Sequence, residues 1–293
     1  MSEISAITRD SRNIKYLKFI PGLNRRQRTL LMLASSVLIL AAIIIARLLL
    51  DDEKIATHFD EKNLAPSLEH LFGTDWLGRD MFTRTVKGLS LSIYIGLTAS
   101  AVSVVIALML GMSAATMGKT VDRIITWIVD LFLGMPHLVA LILIAFTLGG
   151  GSKGVIIGVA FTHWTSLTRV IRAEVLQLKS AEFVQISRHM GKSRWWTAFH
   201  HILPHLVPQF FVGFVLLFPH AILHEASITF LGFGLSPHKP AIGVILSESM
   251  KYLSTGMWWL TFFPGLSLLI IVRAFDIIGE NLRLLMDPHH AHD

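Results

Sequence analysis

An all-α integral membrane protein with six transmembrane helices is the fold class that this sequence predicts, and three observations carry it. The chain of 293 residues is 53% hydrophobic and only 16% charged, with a mean hydropathy of +0.59. That leaves too little polar surface to keep two soluble domains in water. Six apolar runs of roughly 17 to 28 residues match the length that about 30 Å of hydrocarbon demands at 1.5 Å per helical residue. When the runs are threaded alternately, 15 Lys and Arg fall on one side and 8 on the other. The richer side is cytoplasmic, which places both termini there.

The same numbers exclude other classes. A soluble enzyme or a DNA-binding domain does not fit the composition. The surplus of 26 Lys and Arg over 20 Asp and Glu, with a sequence pI near 9.7, speaks to membrane topology rather than to a nucleic-acid partner. Without cysteine, the chain has no disulfide, thiolate metal site or cysteine nucleophile.

Taken in order, residues 1–28 form a cytoplasmic segment with seven basic side chains. Residues 29–50 are the first span, an uncleaved signal anchor, because the run exceeds a signal-peptide core and has no small-residue cleavage site. It leads into an extracytoplasmic loop that ends at residue 89, so that 29–89 make one unit. The transmembrane core, which holds the other five spans, then fills 90–280. Its second span, 90–117, carries Gly96, Ser100, Ser103, Ala107, Gly111 and Ala115 on one helix face, a stripe that admits another helix closely. The third and fourth spans are 122–148 and 155–171, the latter interrupted by His163, Thr165 and Arg169. The fifth and sixth are 205–230 and 257–280, and residues 281–293 form a cytoplasmic, histidine-bearing tail.

Residues 172–203 are far longer than the two to eight residues that usually join bundle helices. They are amphipathic on both sides of Gly191. Val184, Ile186, Met190, Trp195, Trp196 and Phe199 are available to one surface, and Glu182, Arg188, Lys192 and Arg194 to the other. The pattern predicts two short helices with a turn at Gly191, ended by Pro204. Such a pair either lies on membrane lipid or fits the groove of a cytoplasmic partner.

Here the residues resemble a known family. Gln185-Ile186-Ser187, then Gly191, then His201-Ile202-Leu203-Pro204 is similar to the EAA loop of ABC-importer permeases, with QIS in place of EAA. FGTDWLGRD at 72–80, TFLGFG at 229–234, and FPG at 263–265 followed by AFDIIG at 274–279 and Asp287-Pro288 resemble the nickel/peptide/opine branch. The resemblance runs from about residue 30 to the end. It implies a type I importer permease bundle in a prokaryotic plasma (inner) membrane, paired with a second, homologous permease. Two cytoplasmic ATPases that hold and hydrolyse the ATP, and an extracytoplasmic substrate-binding protein, would complete the complex. Glu182, Gln185, Ile186, Ser187, Gly191, His201, Ile202, Leu203 and Pro204 would then couple to an ATPase. Asp75, Arg79 and Asp80 would lie outside, near the second permease or the binding protein. The chain itself needs neither catalytic residues nor a cofactor. The run from Ser113 to Thr120 imitates a phosphate loop around Lys119, but it lacks the first glycine and ends an apolar helix.

Fourteen histidines are many for so apolar a chain, and His137, His163, His220 and His224 lie at or inside spans. Ionisable groups in a bilayer face a cavity or a partner. His220 and His224, four residues apart, share a helix face, and Glu225 follows. Imidazole suits Ni²⁺, Zn²⁺ and Cu²⁺, so His220, His224, Glu225 and His163 are candidate transient metal ligands along a path. Hydrogen bonding between helices is the alternative. Within the family, Thr162-His163-Trp164, the His220/His224 pair and the histidine tail are most similar to nickel permeases. Nickel, free or chelated, is therefore the expected cargo, with di- or oligopeptides as the alternative. A secondary transporter would need clustered carboxylates at mid-membrane, and only Asp130, Glu225 and Asp276 are available. A membrane metalloenzyme fails because His220-Ala-Ile-Leu-His224 lacks the Glu beside its first histidine.

Overall fold

A computed structural model describes residues 25–286, all of whose long elements are helices. The expectations for residues 1–24 and for the histidine tail lie outside the described residues. In chain order the helices are α1 (Arg25–Leu49), α2 (Met81–Thr116), α3 (Lys119–Gly134), α4 (His137–Thr147) and α5 (Gly151–Lys179). They continue with α6 (Glu182–His189), α7 (Arg194–Thr197), α8 (Leu203–Phe230), α9 (Ile242–Ser249) and α10 (Trp259–Met286). Five are long and apolar enough to cross a membrane, and α3 with α4 makes a sixth candidate.

That sixth candidate corrects the expected straight span at 122–148. The chain turns by 99° between α3 and α4, across Met135 and Pro136. Proline has no N–H to donate and disfavours helical geometry in the residue before it; Met135 accordingly is extended, at φ −91° and ψ 144°. Pro136 then starts the next helix, its carbonyl accepting from Val139 N at 3.0 Å and Ala140 N at 3.1 Å.

The second and last spans also run longer than expected. α2 begins at Met81, nine residues before the apolar run, because Asp80 caps it: one carboxylate oxygen accepts from Thr83 N at 2.8 Å and from Thr83 Oγ1 at 2.7 Å. Buried Lys87, on this added stretch, pairs with exposed Asp52 in the outer loop. That hydrogen bond holds the Asp52 carboxyl below the usual carboxylate range. α10 continues past residue 280 to Met286.

The small-residue stripe of α2 is used inside the molecule. α2 and α5 form the largest helix pair, followed by α2 and α8. A Cβ added at Gly111 would lie 2.8 Å from Ile171 Cγ2 and 3.0 Å from Thr168 O, and one added at Gly96 would lie 2.9 Å from Phe218. In lipid, helices gain little from burying apolar surface, so this closeness of backbones is what holds them. α3 is tied to α5 by Asp122, which accepts from Arg172 Nε at 2.5 Å and Nη2 at 2.7 Å.

Gly111→Val should overpack the α2–α5 seam and cost about 1–3 kcal/mol. A thermal melt of the detergent-solubilised protein checks this, and Gly111→Ala should cost less because a single methyl displaces less of Ile171.

Candidate functional site

A cavity of about 710 Å³ opens between α3/α4, α5 and α8. Four histidines line it: His137, His163, His220 and His224. His137 is the first residue of α4 and reaches the cavity because the chain breaks just before it. His163 lies midway along α5 and His224 near the end of α8. The rings of His137, His163 and His224 meet edge to face, with centroids 4.5, 4.6 and 4.9 Å apart. One ring nitrogen from each lies within 4.8 Å of the other two.

The expected ligand set is therefore redrawn. His163 and His224 come together as expected, with His137 as the third member. His220 lines the same cavity but remains exposed and outside the cluster; its backbone carbonyl accepts from His224 Nδ1 at 2.7 Å. Glu225 is fully buried away from the cluster, one residue and about 100° further round the helix. It accepts from Thr229 Oγ1 at 3.0 Å. The other two carboxylates considered are also dispersed, Asp130 paired with Arg169 and Asp276 beside Arg273.

Residues 172–203 have the predicted helix–turn–helix form around Gly191, although α5 extends to Lys179 and takes up their first part, and the second helix does not end at Pro204 but runs on into α8. α6 buries Val184 and Ser187 on one face and exposes Glu182, Gln185 and Ile186 on the other. Gln185 donates to Ser180 O at 3.0 Å. Gly191 turns the chain at φ +79° with nothing within 4 Å of where a Cβ would sit, so its glycine serves backbone conformation alone. Ser193 caps α7 by accepting from Trp196 N at 3.2 Å. Residues Ala198–Ile202 then form one π-helical turn leading into α8. Ile202 is in the core, Leu203 half-buried, and His201 packs edge-on to Trp196. Pro204 sits in the first turn of α8, where its missing N–H costs least. Ile186, Met190, Trp195 and Phe199 leave an exposed apolar surface here.

At the other end, Asp75 is completely buried. Its Oδ2 accepts from Arg79 Nε at 2.7 Å and Arg84 Nη1 at 3.0 Å, and its Oδ1 from the backbone N–H groups of Leu77 and Arg79. Both guanidiniums continue to Glu248 on α9, Arg84 at 2.5 Å and Arg79 at 3.4 Å. Trp76 stacks on Tyr252 beside them. Asp80 does not join this network; it caps α2 and contacts His70 Nδ1 at 3.2 Å. Arg84 and Glu248 were not singled out in the sequence, where a Glu inside the apolar run 242–249 is the available signal.

A bundle of apolar spans, one of them broken beside a histidine-lined cavity, with an amphipathic hairpin at one end, has the features of a membrane transport component. The family model for the binding-protein-dependent transport system inner membrane component matches residues 103–287. The chain belongs to that family. It is 33% identical over 228 residues to the dipeptide transport system permease protein DppC of Bacillus subtilis (strain 168), covering 78% of this chain and 71% of the relative. To the oligopeptide transport system permease protein OppC of the same organism it is 34% identical over 223 residues, covering 76% and 73%. Among solved structures, inward-facing MetNI, a methionine ABC transporter, shares the fold with a TM-score of 0.58 at 16% identity, over 71% of this chain and 98% of that one. These relatives are peptide permeases by name, so they support the family but not nickel in particular.

Asp75→Asn should destabilise the protein by about 3–5 kcal/mol, because it leaves the buried Arg84 guanidinium short of its countercharge. Arg79→Met should cost less, since that side chain is 16% exposed against 0% for Asp75. Thermal melts of the two variants check the order.

Proposed function

We propose that this chain is one of two permease subunits of a binding-protein-dependent ABC importer, and that its cargo is a di- or oligopeptide. The relatives' names support that cargo, and the 710 Å³ cavity is of a size to admit a small molecule. A second, homologous permease closes the open side of the cavity. An extracytoplasmic binding protein delivers cargo at the Asp75/Arg79/Asp80 end. Two cytoplasmic ATPases take up α6 and α7 and hydrolyse the ATP. The run from Ser113 to Thr116 is helical, so its N–H groups are turned into the helix and cannot cradle a phosphate.

The observation that carries the coupling reading is one of continuity. Arg194–Phe230 runs 37 residues as a single apolar helical rod, from α7 through the π turn and α8. A push on α7 thus reaches His220 and His224 in the cavity without crossing a loop, and one on α6 crosses only the turn at Gly191. Nickel, free or chelated, is the second reading, and the histidine cluster favours it.

Uptake in a strain deleted for the whole system separates the cargoes. Restoring the operon should restore uptake of radiolabelled dipeptide; restored ⁶³Ni²⁺ uptake with no peptide uptake would replace the peptide reading by nickel.

Gly191→Val should strain the turn by about 1–2 kcal/mol and uncouple ATP hydrolysis from uptake while the complex still assembles. Gly191→Asn should retain most transport, because Asn tolerates φ > 0. Full uptake by the Val variant would show that the turn geometry does not transmit the ATPase stroke.

A further inference from the structure

We propose that His137, His163 and His224 form a binding site for one divalent first-row transition ion, of the imidazole-preferring kind such as Ni²⁺, on the wall of the cavity. The inference does not rest on the peptide cargo and goes beyond it.

The first support is convergence. Three imidazoles from three different helices bring ring nitrogens within 4.8 Å of one another. An ion bonded to each nitrogen at about 2.0–2.1 Å would hold them about 3 to 3.5 Å apart, which small side-chain rotations reach. Packing alone gives no reason for three polar rings to meet edge to face in an apolar bundle.

The second support is the hydrogen bonding behind the rings. His163 Nδ1 lies 2.9 Å from Val159 O, and His224 Nδ1 lies 2.7 Å from His220 O. A carbonyl only accepts, so in each ring Nδ1 carries the proton and Nε2 keeps its lone pair. This is the tautomer in which a histidine ligates a metal, held by an outer-shell carbonyl. The third support is what those lone pairs face. Nε2 of His163 and Nε2 of His137 are both buried with no hydrogen-bond partner, and buried polar atoms left so are rare without an ion or water to meet them. An ion between the rings would give both nitrogens the partner they lack.

The donor set also identifies the ligand class. Neutral nitrogen donors with no carboxylate do not suit Mg²⁺ or Ca²⁺, which take oxygen, whereas imidazole suits nickel, copper and zinc. The cavity leaves the remaining coordination positions open to water or cargo, as in a site that releases what it binds.

The test uses the full chain assembled with its partner subunits, purified without a polyhistidine tag. His289, His290 and His292 are replaced by Ala throughout so that the tail cannot bind metal. Equilibrium dialysis against Ni²⁺ should give one ion per chain. His137→Gln, His163→Gln and His224→Gln should each weaken binding at least tenfold, while His220→Gln, on the same cavity wall, should change it less than twofold. Nickel X-ray absorption on the unsubstituted triad should count three imidazoles, a readout that does not require any triad variant to fold. Unchanged binding in a triad variant, or fewer than two imidazoles in the spectrum, overturns the site. Dipeptide uptake measured in the same variants keeps the two readings apart. Uptake that survives with metal binding lost leaves the peptide importer standing, and metal binding without peptide uptake leaves the ion site standing.

Discussion

A backbone that leaves the helix inside a bilayer exposes N–H and C=O groups that hydrocarbon cannot satisfy, and the 99° break between α3 and α4 is where this chain does so. Such a break persists only against protein or beside a water-accessible cavity. Leu133 and His137, on its two sides, both line the 710 Å³ cavity. The break and the cavity therefore require one another. If α3 and α4 were one straight rod, the carbonyls at the end of α3 would be paired within the helix, but His137 would be carried away from His163 and the histidine cluster would lose a member.

Around that break the remaining spans are fastened by two different means. On the α2 face, helices approach because glycine and other small residues let them, as Gly96 against Phe218 and Gly111 against Ile171 show. At the outer end the fastening is ionic. Asp75, Arg79, Arg84 and Glu248 join the outer loop, the start of α2 and α9, with each guanidinium shared between two carboxylates. The desolvation of such a group is offset only when every partner is present. The FGTDWLGRD motif is thus explained by the inside of the chain: Gly78 at φ +76° leaves room where a Cβ would fall 1.7 Å from His58 O, and Asp75 receives the two arginines.

How far the sequence could be read follows from which forces act locally. The positions of the apolar spans and the amphipathic pair around Gly191 depend on composition and period, and both are found, whereas the ends of α2, α5 and α10 lie beyond the apolar runs. The positive φ at Gly191 was legible for the same reason, since a glycine between two helical patterns has few other uses. The break at Pro136 had a local signal in Gly134-Met135-Pro136, but a smooth hydropathy run masked it. His137 could be noted as a histidine in a span, yet its union with His163 and His224 depends on how three helices cross. Glu225 adjoins His224 in sequence, but the 100° that separates neighbours on a helix turns it away from the cluster. Arg84 and Glu248 are 164 residues apart, a pairing that no window of sequence contains.

The same geometry bears on how a displacement of α6 and α7 would change the cavity. α8 carries Pro208 and Pro219 inside its length, and each removes one backbone bond and allows a bend. Pro219 sits directly before His220 and five residues before His224. A π turn at Ala198–Ile202 adds a third irregularity next to α6 and α7. Displacement of α6 and α7 would then be taken up at defined points rather than spread along the rod. The point nearest the histidines is the one that would re-aim His224 relative to His137 and His163, which are held on the other wall. A cluster assembled from both sides of such a hinge can be tight in one state of the transporter and open in the other, which is the property a transit site needs.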